Sequence, residues 1–152
     1  MKTVRLHPGR ERSLLRRHPW VFESAIAKGG GDAGETVRVV SSNGDFLAWG
    51  AFSPASRIRV RAWSFDEAQR IDAHFMGAAC ARSIRARDLF DIESDGRRLV
   101  HGEADGLPGL IVDRYGDVLA VQANTAGMDA ATPMIVEALT ALIAPRGIVA
   151  RN

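Results

Sequence analysis

The chain has 152 residues, of which 46% are hydrophobic and 25% charged, as in one ordinary globular domain or two small ones. This composition excludes a disordered tail, a collagen-like repeat or a solenoid, and no run of 18 apolar residues predicts a membrane span. The basic N-terminus lacks the apolar segment of a secretory signal, and the single cysteine, Cys80, cannot form an internal disulfide. We therefore expect a cytoplasmic protein.

The net charge of +2 hides an uneven distribution. Residues 1–63 carry 11 lysines and arginines against 5 acids, whereas residues 64–152 carry 9 against 13. Such asymmetry is typical of a module that binds a polyanion joined to one that does not. All but 2 of the 20 basic residues are arginine, whose planar guanidinium suits phosphates and base edges. A GC-rich genome would also enrich arginine, but it would not segregate the charge.

The polar, basic segment Gly9–Arg17 predicts a short helix, which Pro19 ends because the residue before a proline avoids the helical region. Trp20–Phe22 follow as an apolar anchor. Three consecutive glycines at 29–31 predict a linker, since no strand leads directly into them and no Lys-Ser/Thr pair follows as in a phosphate-binding loop.

From Thr36 onward the hydrophobic period becomes two, which predicts strands over 36–41, 46–52 and 57–63. Asn43-Gly44 predicts a type I′ hairpin turn between the first two of these strands. Ile58, Val60 and Ala62 are expected to share the buried face of the third strand. Residues 1–63 are therefore predicted to form a small, mostly β domain.

Ser64 and Glu67 match a capping box, which predicts a helix over 65–87. Further strands are predicted over 99–103, 110–113, 118–122 and 148–150, and a second helix is predicted over 129–144. Pro133 is expected in the first turn of the second helix. The predicted class is thus α+β. A strand that starts at 148 suggests that the native protein continues.

No motif for a known catalytic or metal site is present in the sequence: there is no H-E-x-x-H, C-x-x-C or P-loop. The four histidines lack ligand spacing, so we expect no metal. Cys80 is predicted to be a core residue rather than a nucleophile. No catalytic or cofactor-binding residue is assigned.

Two groups of basic residues are candidates for RNA binding. The first surrounds the short helix beside Trp20, where arginines next to a ring can bind phosphates and stack on a base; it comprises Arg10, Arg12, Arg16, Arg17 and His18. The second alternates along a strand and therefore shares one face; it comprises Arg57, Arg59 and Arg61. Like charges on one face need acids or phosphates opposite, so the alternatives are a solvated face and a polyanion surface.

A third candidate is the segment 102–116, which is unusually rich in special residues for a plain hairpin. It combines glycines and a proline with polar side chains that could face a substrate: Glu103, Asp105, Asp113, Arg114 and Tyr115. The alternative is a tight turn in which Asp113 and Arg114 form structural pairs.

Two of these motifs, residues 9–22 and the glycine-rich segment 102–116, closely resemble the beginning of the bacterial large-subunit ribosomal RNA methyltransferase I family. The resemblance covers essentially the whole chain. It implies that residues 1–65 are a PUA domain, an RNA-binding pseudo-barrel, and that 66–152 are most of a central α/β domain. It also implies that a Rossmann-like methyltransferase domain, with the cofactor-binding glycine motif and the catalytic cysteine, lies outside this chain.

Members of that family use S-adenosylmethionine to form 5-methylcytosine in 23S ribosomal RNA. The resemblance therefore implies a fragment that recognises and positions ribosomal RNA but is catalytically silent alone. S-adenosylmethionine would be the cofactor of the full-length parent, with none bound by this fragment, and a homodimer is favoured. Two alternatives are a stand-alone RNA-binding adaptor and a domain whose basic surface binds an acidic protein.

Overall fold

The computed structural model describes residues 2–88 and 96–151, and their contacts separate two compact units. The first unit comprises the residues up to Ile71, and the second comprises those from Asp72 onward. Both units contain strands and helices, so the predicted α+β class is confirmed.

The first unit is a six-stranded sheet with one short helix. Its elements in chain order are β1 (Thr3–Leu6), α1 (Arg12–Leu15), β2 (Trp20–Phe22), β3 (Ile26–Gly29), β4 (Thr36–Val40), β5 (Phe46–Phe52) and β6 (Ile58–Ser64). The strands lie in the order β2-β6-β5-β4-β1-β3, and neighbouring strands are antiparallel except β1 and β4. A single-turn 3₁₀ helix, Glu23–Ala25, joins β2 to β3.

The core of this unit is built from alternate residues of its strands. Val37 and Val39 of β4 and Val60 of β6 are completely buried, and Leu14 reaches the same cluster from α1. Because successive side chains of a strand point to opposite faces, the residues between these valines lie on the other side of the sheet. The core therefore anchors α1 and leaves its polar residues outside.

The loop between β4 and β5 differs from the predicted type I′ turn. Gly44 has a φ of +91°, but Asn43 does not have the positive φ that a type I′ turn requires. Instead the Gly44 amide donates to the Ser41 carbonyl at 3.0 Å, and the Ser41 amide donates to the Asp45 carbonyl at 2.8 Å. This is the pattern of a three-residue loop with glycine at the bulge position.

The first long helix, α2 (Ala73–Asp88), begins later than the predicted Phe65. The Ser64 hydroxyl accepts the Asp66 amide at 3.1 Å, which forms a local turn rather than a cap. The Glu67 carboxylate pairs with Arg38 at 2.5 Å. The side chain that caps α2 is Asp72, whose Oδ1 accepts the Phe75 amide at 3.0 Å.

The second unit consists of two helices and a four-stranded sheet. Its further elements are β7 (Gly96–His101), β8 (Leu110–Tyr115), β9 (Val118–Ala123), α3 (Ala126–Ile143) and β10 (Gly147–Ala150). Strands β7, β8 and β9 pair antiparallel in sequence, and β10 pairs parallel to β9. The helix α3 thus forms the crossover between two parallel strands, and it packs against α2.

Helix α3 begins at Ala126, and the Thr125 hydroxyl caps it by accepting the Met128 amide at 3.2 Å. The sequence predicted Pro133 in the first turn of this helix, but the helix begins earlier and Pro133 lies inside it. Since proline has no N–H, it cannot donate to the carbonyl four residues earlier. Ile135 and Leu139 are completely buried, whereas Leu142 is exposed.

By length and composition alone, α3 is apolar enough to cross a membrane, with a mean hydropathy of 1.3 over 18 residues. Core helices of soluble proteins satisfy the same criterion, so a single such helix is weak support for a membrane span. In this structure α3 packs against α2 and β9, and 28% of its residues are buried. The absence of a membrane partner stays a prediction.

Candidate nucleic-acid interface

The basic residues around α1 lie on the surface of the first unit, although only four residues, Arg12–Leu15, are helical. Leu14 is buried in the core and fixes the helix, which leaves Arg12 and Arg16 exposed. Neither guanidinium forms an ion pair with any residue in the described parts of the chain. Both are therefore available to an anion.

Two further arginines of this segment are held in place by neighbours. Arg10 Nη2 donates to the Ser24 hydroxyl at 2.8 Å. The Arg17 guanidinium lies 5.0 Å from the centre of the Phe65 ring, a cation–π contact that leaves its charge unneutralised. Arg17 also has a φ of +67°, a conformation that non-glycine residues adopt only under local constraint.

Three rings follow α1 in alternation. His18 and Trp20 meet edge to face with their centres 5.5 Å apart, and Trp20 meets Phe22 in the same manner at 6.3 Å. Val21, between the last two, is buried in the core. Trp20 and Phe22 therefore share the outer face of β2, where Phe22 is 46% exposed.

Arginines and rings meet at a cleft of 270 Å³ between α1 and β2, which we call the α1–β2 cleft. It is lined from one side by residues in and before α1 and from the other by β2 and the start of the next turn: Gly9, Arg10, Arg12, Ser13, Leu14, Trp20, Val21, Phe22 and Ala25. Its charged lining residues, Arg10 and Arg12, are both basic. Phe22 was predicted only as an apolar anchor, but the alternation of Trp20, Val21 and Phe22 already indicated two rings on one face.

The second arginine group is less open than the alternating pattern predicted. Arg57 is exposed, but the Arg59 side chain is only 20% exposed and pairs with Glu23 at 2.9 Å. Arg59 also donates to the Pro54 carbonyl. Arg61 lies opposite Trp20 in the pairing of β2 with β6 and has contacts of its own. Only Arg57 of this group resembles Arg12 and Arg16 in its surroundings.

In the segment 102–116 of the second unit, several polar side chains are engaged by neighbours. Arg87 contacts Asp105 with two hydrogen bonds, at 3.0 and 2.8 Å, and the His101 amide donates to the same carboxylate at 2.6 Å. Burial raises the pKa of Asp105, but the Arg87 hydrogen bond and the His101 amide outweigh burial and lower the pKa overall. A carboxylate bound in this way holds the turn together.

The other candidate residues of this segment also have contacts with neighbouring residues. Asp113 accepts two hydrogen bonds from Arg98, at 2.8 and 3.2 Å, across the β7–β8 pair. Arg114 donates to the Gly116 carbonyl at 2.8 Å, and Arg151 lies 5.9 Å from the centre of the half-exposed Tyr115 ring. Glu103 is exposed and also has a contact. A substrate-facing role for these residues stays a prediction.

Cys80 is completely buried in α2, and burial raises the pKa of its thiol to about 11. A protonated, buried thiol is a poor nucleophile, which agrees with its predicted core role. Within residues 2–88 and 96–151, no group of three or more His, Cys, Asp or Glu side chains is placed to hold a metal ion.

Residues 4–65 match the family described as "PUA-like domain". The fold of the chain resembles that of solved proteins assigned as methyltransferases. One, from Streptococcus mutans and described as SAM-dependent, has a TM-score of 0.82 at 17% identity and aligns over 99% of this chain and 41% of its own. SMU.776, solved in complex with SAH, has a TM-score of 0.84 at 16% identity, over 99% and 40%. Residues 4–65 thus match a PUA-like family, and the fold of the chain is similar to part of these two solved proteins.

Sequence comparison finds similar proteins that share one name. Proteins named Ribosomal RNA large subunit methyltransferase I from Shigella boydii and Citrobacter koseri are 45% identical to this chain, and one from Escherichia coli is 44% identical. The matches cover 88–90% of this chain and 35–36% of the relatives. They confirm the resemblance: the chain is similar in sequence to the ribosomal RNA large subunit methyltransferase I proteins and spans about a third of their length.

Proposed function

We propose that this chain is the RNA-recognising part of an S-adenosylmethionine-dependent 23S ribosomal RNA cytosine-5 methyltransferase. The observation that carries the proposal is 45% identity, over 90% of the chain, to a protein named for large-subunit ribosomal RNA methylation. The PUA-like match and the unpaired arginines on α1 support RNA binding as the part that this chain plays. It supplies affinity and placement, while bond formation takes place elsewhere in the parent.

Electrostatics explains why Arg12 and Arg16 suit this role. Each exposed guanidinium that neutralises a phosphate releases condensed counterions, so binding becomes weaker as salt rises. Phosphate contacts fix register and orientation without reading sequence, as a placement domain requires. Other arginines of the first unit, such as Arg38 and Arg59, already pair with carboxylates.

We propose that the described residues do not form the methyl-transfer centre of the parent. S-adenosylmethionine would supply the methyl group in the parent, and attack by a cysteine thiolate on the base would make carbon 5 of cytosine nucleophilic. The cysteine of this chain is buried with a pKa of about 11, so we assign it no part in the reaction. We place both cofactor binding and catalysis outside these residues.

Location and partners follow from the same proposal. An enzyme that modifies ribosomal RNA in bacteria works in the cytoplasm, so we propose that location together with 23S ribosomal RNA as the partner. A homodimer, which rests on the family resemblance, and the absence of a membrane partner are further parts of the proposal.

Binding of 23S ribosomal RNA fragments, measured at a series of salt concentrations, tests the RNA-binding part. Replacing Arg12 and Arg16 by alanine should reduce the magnitude of the slope of log K against log salt by up to about 1.4–1.8, because each lost phosphate contact removes about 0.7–0.9. The matched control is the double replacement of Arg82 and Arg85, which are exposed on α2 and have no ion pair among the described residues. It should leave the slope unchanged.

The outcomes of this experiment separate the proposal from its rivals. If the wild-type chain does not bind RNA at low salt, the proposed function is wrong. If the α2 replacement lowers the slope and the α1 replacement does not, RNA binds to the second unit instead.

Titration calorimetry with S-adenosylmethionine tests the other part of the proposal. We expect no heat of binding to the 152-residue chain at micromolar to low millimolar cofactor. Binding at micromolar strength would place a cofactor site within these residues, and catalytic silence would then have to be abandoned.

A further inference from the structure

We propose that the α1–β2 cleft binds one unpaired nucleotide of the RNA, with its base against the exposed ring of Phe22 and its phosphate near Arg12. This inference rests on the proposed function and deepens it, because it names the form of RNA that the first unit recognises. The juxtaposition that carries it is an arginine wall facing an aromatic wall across one small cleft.

The aromatic wall has the rigidity that a stacking platform needs. Phe22 is 46% exposed, yet its backbone lies in β2, which is hydrogen-bonded to β6, and Val21 beside it is fixed in the core. Trp20 supports the Phe22 ring edge to face at 6.3 Å. Stacking on such rings contributes about 1–3 kcal/mol per base and tolerates any base, since every base has a π-face.

The opposite wall supplies positive charge. Arg12 is exposed and unpaired within the described residues, and Arg10 is oriented by its hydrogen bond to Ser24. Glu11 lies between them in the sequence but does not line the cleft, and Glu23, which follows Phe22, pairs with Arg59. The charge that faces the cleft is therefore cationic, which suits a phosphate.

The size of the cleft favours a single base over a larger ligand. Its volume of 270 Å³ lies just below the range of about 300–1,000 Å³ that pockets for drug-sized ligands occupy. A base within an RNA duplex is stacked and paired and cannot lie flat on a protein ring. Aromatic side chains therefore recognise bases in single strands, loops, bulges and ends.

The test compares a single-stranded oligoribonucleotide containing 2-aminopurine with a hairpin in which the same residue is paired. Phe22→Leu keeps an apolar side chain at the strand edge but removes the ring, whereas Phe22→Tyr keeps the ring. Leu142→Ala is the matched control, because Leu142 is also 46% exposed but lies in the second unit. Circular dichroism melts verify that each variant is folded.

We expect Phe22→Leu to weaken single-strand binding at least about fivefold, the loss that corresponds to one stacked base. It should also abolish the quenching of 2-aminopurine while leaving the salt slope unchanged, since no charge is removed. Phe22→Tyr and Leu142→Ala should bind as the wild type does, and the paired hairpin should bind more weakly than the single strand.

Wild-type affinity and quenching in Phe22→Leu would overturn this inference and leave the proposed function intact. Equal binding of the paired hairpin and the single strand would also overturn it. If the wild-type chain binds neither RNA, the proposed function and this inference fail together.

Discussion

Asp105 shows at the scale of one residue how the second unit uses a carboxylate that is nearly buried. Its side chain is 11% exposed, and burial alone would raise its pKa. The two hydrogen bonds from Arg87 and the one from the His101 amide favour the ionised form, and the pKa is lowered overall. Asp105 thus connects the end of α2 to the turn after β7.

The lowered pKa of Asp105 predicts how stability depends on pH. Because the folded-state pKa lies below the unfolded value of about 3.9, the stabilisation is fully present above that value and is lost as pH falls through the folded pKa. Asp105→Asn should cost about 1–3 kcal/mol at pH 7 and lose less stability than the wild type upon acidification below pH 4. Urea unfolding between pH 7 and pH 2.5 measures both effects, and parallel curves for the two proteins would contradict this explanation.

The partners of these carboxylates were beyond the reach of sequence reasoning. The composition of segment 102–116 marked Asp105 and Asp113 as unusual, but it could not identify Arg87, 18 residues earlier, or Arg98, across a strand pair. Such contacts depend on the packing of a helix against a turn and on strand register. The first unit shows the same limit, since the Arg59–Glu23 pair depends on the packing of β2 beside β6.

At the scale of elements, the start of α2 shows how two similar capping signals compete. Ser64 is the last residue of β6, where it lies opposite Trp49, so strand pairing takes it out of the capping position. Asp72 then caps the helix. We expect Asp72→Ala to lower the stability of the second unit by about 1 kcal/mol, the typical value of an N-cap side chain.

The matched variant Ser64→Ala should cost less, because the Ser64 hydroxyl serves a surface turn. Amide hydrogen exchange over the first turn of α2 measures the two effects. Faster exchange in Ser64→Ala than in Asp72→Ala would contradict the structure and restore the capping box.

Hydrophobic periodicity located most elements well because it reports burial directly. The predicted strand over 46–52 agrees with β5, and the last strand agrees with β10 to within a residue. The errors fall where backbone geometry decides: Asn43 lies in a longer loop, and Pro133 lies within α3 although it interrupts a hydrogen bond there. The sequence predicted only part of the α1–β2 cleft. Its arginines were predicted as an RNA-binding surface, but the exposed Phe22 was not.

At the scale of the whole molecule, the segregated charge of the sequence acquires a physical meaning. Several acids of the first unit are used in pairs: Asp32 and Glu35 with Lys2, Glu23 with Arg59, and Glu67 with Arg38. These pairs neutralise the basic residues around them. Positive charge remains at exposed residues that have no ion pair within the described parts of the chain: Arg12 and Arg16 beside α1, and Arg5, Lys28 and Arg57 elsewhere in the unit. An excess of positive charge on one unit attracts a polyanion.

The same reasoning predicts that residues 1–71 alone retain the RNA affinity of the 152-residue chain. The unit has its own core, centred on Val4, Val37, Val39 and Val60, although a domain of this size buries only about 60% of its unfolded surface and will be less stable. Ending the chain at 71 and not at 65 keeps Glu67, which pairs with Arg38, and the Glu67 carbonyl, which accepts the Trp49 indole N–H at 3.1 Å. Binding of the single-stranded oligoribonucleotide should therefore agree within about threefold and show the same salt slope. A folded 1–71 chain that binds much more weakly would mean that the second unit contributes to the RNA interface.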